Sequence, residues 1–393
     1  MRPRARTVLI LLLTLGLLFF AFRNTDLAGV WAETRRADGG LLFVALVLTG
    51  LTYGVRAWRW QLLLAPIGPT RFVNAFTTTV IGFSASFLLP ARVGEVIRPY
   101  LLAKRENMNP SSAFATIVVE RLLDLATVLL LFAGFVLTAG PEISGDPGQL
   151  ARVKVGGAMA AVASVAGVAL LFALAGHPER LGRAALRIER VLPARLARVV
   201  AAFVETFAQG LAVLRDPARL VGALALSFPM WMSIAAGIWL TSRAFHITYP
   251  YPASFLVMTI LVVGVAAPTP GAIGGFHAAY IFAVTAFFGV DPDRAGAAAL
   301  LLHAISFVPV TLLGIVFMLR EGLTLAGAQR LAREAPGGSG GGPPTTVAPG
   351  LQPVPGGNRG VDPGTHGSGG DRGIYPAAHT PRGADGGMKK GAP

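Results

Sequence analysis

The chain has 393 residues, of which 53% are hydrophobic and only 14% charged, with a mean hydropathy of +0.60. A soluble domain carries roughly a quarter charged residues, and the apolar residues here fall in runs near the roughly 20 residues that cross a bilayer core, so a soluble enzyme is excluded and a polytopic membrane protein is expected. The formal charge of +14 is then a topology signal, not a nucleic-acid footprint: Lys and Arg collect in cytoplasmic loops, and no basic stretch is interleaved with stacking aromatics. The absence of cysteine removes disulfides, thiolate metal sites and Cys nucleophiles.

In chain order, MRPRARTVLILLLTLGLLFFAF reads as an uncleaved signal anchor with its basic end inside, because Ala21-Phe22-Arg23 is not a small-x-small cleavage site. Residues 7–22 cross outward and 40–57 return. The return ends in RAWRWQ, whose Arg56, Arg59, Trp58 and Trp60 are expected to anchor at headgroup depth. Residues 73–89 are apolar but flanked by Arg71 on one side and Arg92, Arg98, Lys104 and Arg105 on the other. A hairpin broken at Pro90 keeps both ends inside, which a simple crossing does not. Residues 113–137 cross outward, 155–175 return, and the eight arginines of 177–219 mark a cytoplasmic segment, read either as an amphipathic helix on the inner leaflet or as a solvated loop. Residues 220–240 cross outward. Two short apolar runs, 253–267 and 276–290, flank PTPGAIGG and form a second broken hairpin, and 297–319 return inward. The predicted fold is all-α: about six full spans and two re-entrant hairpins, with both termini cytoplasmic. From residue 336 to 393 the chain is Gly/Pro-rich with few large apolar residues, so a membrane domain of 1–335 is followed by a tail expected to be disordered.

The two hairpins match. Pro90-x-x-x-Gly94 overlays Pro270-x-x-x-Gly274, Tyr100 meets Tyr280, and Asn109-Pro110 meets Asp291-Pro292, at offsets of 180 to 182 residues. Pro90, Gly94, Pro268, Pro270 and Gly274 are the expected breakers. Three crossings separate the hairpins, so the halves are expected to face opposite sides, an inverted repeat of the kind that puts transporter sites at the repeat interface.

The run TIVVERLLDLATVLLLF sets Glu120, Arg121 and Asp124 inside an apolar helix. A lone charge at helix centre costs about 2.5–3.5 kcal/mol, so these residues must face a protein interior or a wet cavity. Glu120 and Asp124 share a face and need a cation, for which Arg92 and Arg98 are the candidates. A buried ion network locking hairpin to helix is the structural alternative. The functional reading is a polar path for a lipid headgroup, since Arg binds phosphate through paired hydrogen bonds. His277 and His303 could relay protons or bond a headgroup, or be satisfied polar groups between helices; Tyr280 reads as a packing or interface aromatic. No metal ligand set and no nucleotide loop is recognised, and no cofactor is expected.

RAWRWQLLL, FLLPARVGEVIRPYLL, SSAFATIVVERLLDL and PTPGAIGGFHAAY resemble, in the same order, the motifs of the lysylphosphatidylglycerol synthase transmembrane-region family, over roughly residues 5–335. The resemblance implies a flippase-like protein of the inner (plasma) membrane that handles anionic phospholipids or polyprenyl-linked lipids. By motif position it implies Arg92, Glu95, Arg98, Glu120, Arg121 and Asp124 as site residues. No aminoacyl-transferase domain is recognised within these residues, so lipid synthesis is not carried over. Ala272 stands where the family commonly has glycine, and His277 where an acidic residue is frequent. The alternative to transport is a scaffold or accessory subunit for a membrane-bound lipid or glycan enzyme.

Overall fold

The computed structural model describes residues 3–89, 92–138, 148, 151, 155–159, 162, 165–166, 216–267 and 269–322, all within one compact unit, Met1–Pro343. Most of the predicted crossing 155–175, the arginine-rich segment up to residue 215, the tail 336–393, and the breakers Pro90 and Pro268 lie outside the described residues. The described residues are helical with no strand. The helices are α1 (Pro3–Phe22), α2 (Leu27–Arg36), α3 (Gly39–Leu64), α4 (Phe72–Leu88), α5 (Gly94–Arg105), α6 (Pro110–Thr138), α7 (Pro217–Ala244), α8 (Ser254–Val265), α9 (Gly275–Phe288) and α10 (Pro292–Arg320).

Short polar residues start several of them. Asp38 accepts from the Gly40 and Leu41 amides at the head of α3, and Asp216 from the Arg219 amide at the head of α7. The matching Asn109-Pro110 and Asp291-Pro292 are both caps: Asn109 accepts from the Ser111 amide (2.9 Å) and Asp291 from Asp293 (3.0 Å). Each proline sits at the first helical position, where its missing N–H has no partner to lose.

Among the described residues, Gly39–Leu64, Ala218–Ala244, Pro270–Phe288 and Pro292–Arg320 are long and apolar enough to span a membrane. At 29 residues, or about 43 Å, α6 has the length as well, but carries Glu120, Arg121 and Asp124. The surface is inverted relative to a soluble protein. Phe19, Phe43, Val263 and Leu319 are exposed, whereas Arg59 and Glu120 are completely buried. Apolar outside and charge inside is the pattern of a membrane bundle.

Antiparallel α3 and α7 pack side by side at the centre, with the Asp38 amide donating to the Ala244 carbonyl (2.9 Å) at one end and Thr52 meeting Ser233 (2.8 Å) midway. Around them, α4 packs on α5 and on α10, and α8 on α9 and on α6. Both hairpins cross at reciprocal glycines. A methyl group on Gly94 would overlap the Gly82 carbonyl oxygen, and one on Gly275 would overlap that of Gly264. Gly94, the first residue of α5 after the break, is thus also a contact point between the two helices. Gly274 does break the chain, at φ 89, and Pro270 opens a 3-10 turn, Pro270–Ala272.

Candidate functional site

The site is built on the middle of α6. Its periodicity turns Glu120 and Asp124 to the same face, and two helices, α3 and α5, bring arginines to meet them, beside Arg121 of α6 itself. From α5, Arg98 Nη1 donates to Glu120 Oε1 (3.0 Å), its guanidinium lying 3.8 Å from the centre of the Trp60 ring. From α3, Arg59 Nη1 donates to Asp124 Oδ1 (2.6 Å) and to Ser227 Oγ (2.7 Å), while its Nη2 stands 3.4 Å from Glu120. Arg56, one helical turn earlier, is 3.6 Å from each carboxylate. Arg121 folds back along α6 to donate to Asp124 Oδ2 (3.1 Å), and its Nε lies 3.7 Å from Glu95. The Trp231 indole of α7 donates to Asp124 Oδ1 (3.0 Å).

Of the two expected cations, Arg98 is in the network and Arg92 is not. Arg92 adopts φ 51 after the first break and donates instead to the Val265 carbonyl, the last residue of α8. A guanidinium at a helix C-terminus satisfies a carbonyl that has no partner within the helix. It also ties the first hairpin break to the second.

Arg56 and Arg59 were expected at the membrane surface and are instead 6% and 0% exposed. The correction has a physical cause. Helix α3 continues through RAWRWQLLL to Leu64, so these arginines lie within the bundle rather than at its rim. Trp60 is likewise buried, its indole donating to Thr116 (2.9 Å); only Trp58 faces outward. The signal for the missed pair was the three-residue spacing of Arg56 and Arg59, which puts two cations on one helix face opposite two carboxylates four residues apart.

The network borders a cavity of about 450 Å³ among α3, α4, α6, α7, α8, α9 and α10. Arg56, Arg92, Arg121 and Asp124 give it a polar side; Phe83, Phe87, Trp231, Met258 and Phe307 are among its apolar walls. A smaller cavity of about 150 Å³ beside the first hairpin also reaches Arg92 and Arg121, together with Glu95 and Arg98. All six predicted site residues thus lie in the network or along these two cavities.

The secondary candidates lie elsewhere. His277 and His303 face each other with ring centres 4.7 Å apart. His303 Nε2 pairs with the Gly271 carbonyl (2.8 Å), so it carries a proton there, and the ring stacks on Phe307. His277 Nδ1 accepts from the Gly274 amide (3.4 Å). The pair fastens the second break to α10. Buried Tyr280 shares Ser242 with Tyr249, each hydroxyl 2.7 Å from the serine oxygen. Ala272 takes φ 57, a left-handed conformation in which glycine has no Cβ to strain. Among the described residues no group of three or more His, Cys, Asp or Glu is placed to hold a metal ion.

A helical bundle with a lipid-like exterior, a buried ion network and an interior cavity is an integral membrane protein built around a polar site. The chain belongs to the lysylphosphatidylglycerol synthase TM region family, whose model matches residues 7–314. It is 26% identical over 361 residues to glycosyltransferase AglD of Haloferax volcanii, covering 83% of this chain and 57% of that protein, so it spans little more than half of that relative. It is 25% identical over 297 residues to a UPF0104 membrane protein of Methanothermobacter thermautotrophicus, covering 72% of this chain and 85% of the relative. A third relative, UPF0104 membrane protein MJ1595 of Methanocaldococcus jannaschii, is 32% identical over 99 residues, covering 24% of this chain and 29% of that protein.

Proposed function

We propose that this protein moves a lipid with a phosphate-bearing headgroup across the plasma membrane, the headgroup passing through the cavity while the hydrocarbon chains stay in the bilayer. The observation that carries the reading is Arg56. Its side chain borders the cavity, and its Nη1 stands 3.6 Å from Glu120 and from Asp124 without a hydrogen bond to either. A guanidinium held by its carboxylates only at ion-pair distance keeps hydrogen-bonding capacity, and phosphate fits its fork.

The architecture proposed with it is an inverted repeat. Helices α3 to α6 correspond to α7 to α10; α6 and α10 both run 29 residues and begin 182 residues apart. The central pair, α3 and α7, is antiparallel, as inversion requires. At the same offset, Glu95 and Arg121 correspond to His277 and His303, so each half has one polar pair joining its hairpin to its long helix. Six spans (α1, α3, α6, the run 155–175, α7 and α10) would then accompany two re-entrant hairpins. Arg105 meets Glu321, which sets Lys104, Arg105 and Arg320 on one face, and the positive-inside rule makes that face, with both termini, cytoplasmic. Residues 1–335 form the transporting domain in this reading.

The similarity to a glycosyltransferase favours a second reading, an accessory subunit of a membrane-bound lipid or glycan enzyme. Reconstitution separates the two. Purified protein in liposomes with fluorescent phosphatidylglycerol is followed with a membrane-impermeant quencher. Wild type is expected to expose inner-leaflet lipid, and folded Arg92→Ala and Glu120→Gln variants to lose that activity. Wild type indistinguishable from empty liposomes across several lipids, with and without a proton gradient, would sink the transport reading and leave the accessory one.

A further inference from the structure

We propose that Arg92 is a clamp released by the anionic headgroup: it ties the two hairpin breaks together, and it lets the second break loosen when a phosphate takes its guanidinium. The inference rests on the proposed function and deepens it, since it concerns what the arriving headgroup does to the chain.

Each break is seated on the end of the other hairpin's first helix. Arg92 follows the first break, and its Nη2 donates to the carbonyl of Val265, the last residue of α8. Gly271, in the second break, lies against the end of α4, where a methyl group on it would stand 3.7 Å from the Phe87 carbonyl oxygen. Arg92 and Ala272, which correspond at the 180-residue offset, both take left-handed backbone, φ 51 and φ 57. L residues adopt that region rarely, and it persists where surrounding contacts over-determine it. At Arg92 the bond to Val265 is such a contact. Ala272 has no side chain that could make the reciprocal one. The charged clamp is therefore one-sided: it holds the end of α8, while His303 pairs with the Gly271 carbonyl from α10.

Arg92 also differs from its neighbours in what holds it. Of the arginines bordering the two cavities, Arg56 stands by Glu120 and Asp124, Arg98 by Glu120, and Arg121 by Asp124 and Glu95. Among the described residues Arg92 is paired with no carboxylate; its partner is a neutral carbonyl, and it is exposed and borders both cavities. An anion can thus recruit Arg92 without displacing a carboxylate. A guanidinium holds this carbonyl from one nitrogen, but it can hold a phosphate through two parallel hydrogen bonds between opposite charges. Phosphate also neutralises the charge that draws the side chain to the carbonyl end of a helix. Headgroup and clamp therefore compete for one group. Val265 borders both cavities as well, so the element set free is part of the wall around the headgroup.

The test reads the second break directly, in the cysteine-free full chain purified in dodecyl maltoside, an uncharged detergent. Thr269→Cys, at a half-buried position beside the smaller cavity, is modified with N-ethylmaleimide at constant pH, with exposed Ala65→Cys as the control. Arg92→Ala and Arg92→Gly are expected to raise the Thr269→Cys rate about fivefold or more, the change in population that one lost hydrogen bond gives. Glycine suits the left-handed backbone, so an effect shared by both variants belongs to the lost guanidinium. Arg92→Lys should keep part of the clamp, and ethylguanidinium added to Arg92→Ala should slow the modification again, which a merely structural role does not predict. Saturating phosphatidylglycerol or phosphatidic acid should raise the rate in the Arg92 protein toward that of Arg92→Ala and leave Arg92→Ala unchanged. If Thr269→Cys does not fold, Ser86→Cys, on the α4 wall of the same cavity, is the reporter. Equal rates with and without the Arg92 side chain overturn the clamp, and a rate that neither lipid moves overturns its release. Release by lipid without lipid movement in liposomes would remove the transport reading and leave this one standing; movement with a clamp that the lipids do not open would do the reverse.

Discussion

Arg59 has no exposed surface, and one nitrogen serves both Asp124 and Ser227. The two partners differ in what their loss should cost. Asp124→Asn keeps the shape but leaves Arg56, Arg59 and Arg121 without the charge they share, the situation in which a broken buried pair costs about 3–5 kcal/mol. Ser227→Ala removes one neutral acceptor and should cost about 1 kcal/mol. The midpoints of thermal unfolding in detergent should fall in that order, and equal losses would contradict the electrostatic account of the core. At this scale the sequence disclosed the carboxylates and Arg98, because charges inside an apolar helix demand a reason. It concealed Arg56 and Arg59, because arginines alternating with tryptophans look the same at a membrane rim as in a core. Only the length of α3 separates the two cases, and helix ends are poorly marked by composition when Leu62, Leu63 and Leu64 carry the apolar run onward.

At the scale of elements, the paired short helices α4 with α5 and α8 with α9 were legible from apolar runs set off by Pro and Gly, but the work of their glycines was not. Gly94, where the chain enters α5, is also where two helices touch. The reciprocal clash at Gly82 and Gly94, repeated at Gly264 and Gly275, means that each hairpin closes only as far as two missing side chains allow. Gly94→Ala should therefore force α4 and α5 apart and destabilise the protein by about 1–3 kcal/mol, the usual range for overpacking. Gly54→Ala on α3, where an added methyl group meets nothing within 4 Å, should be neutral or slightly stabilising through helix propensity. The comparison is made on one preparation by unfolding midpoint. If Gly54→Ala costs as much as Gly94→Ala, backbone contact is not what holds the hairpin.

At the scale of the molecule, the proposed inverted arrangement makes a prediction that no single helix makes. The turn after α3 and the turn after α7 are equivalent in the repeat, yet α3 and α7 are antiparallel, so the two turns belong on opposite faces of the membrane. Ala65 and Thr248 are exposed in those turns, and the chain has no cysteine to confuse labelling. In intact cells or sealed right-side-out vesicles, an impermeant maleimide should modify Thr248→Cys without permeabilisation and Ala65→Cys only after it. The assignment of sides follows from the basic face formed by Lys104, Arg105 and Arg320. Labelling of both from the same side would remove the inverted repeat and its two-sided path. Opposite labelling with the sides exchanged would keep the repeat and reverse only the orientation. The two outcomes separate what packing dictates, the antiparallel relation of the halves, from what loop charge dictates, which half faces the cytoplasm.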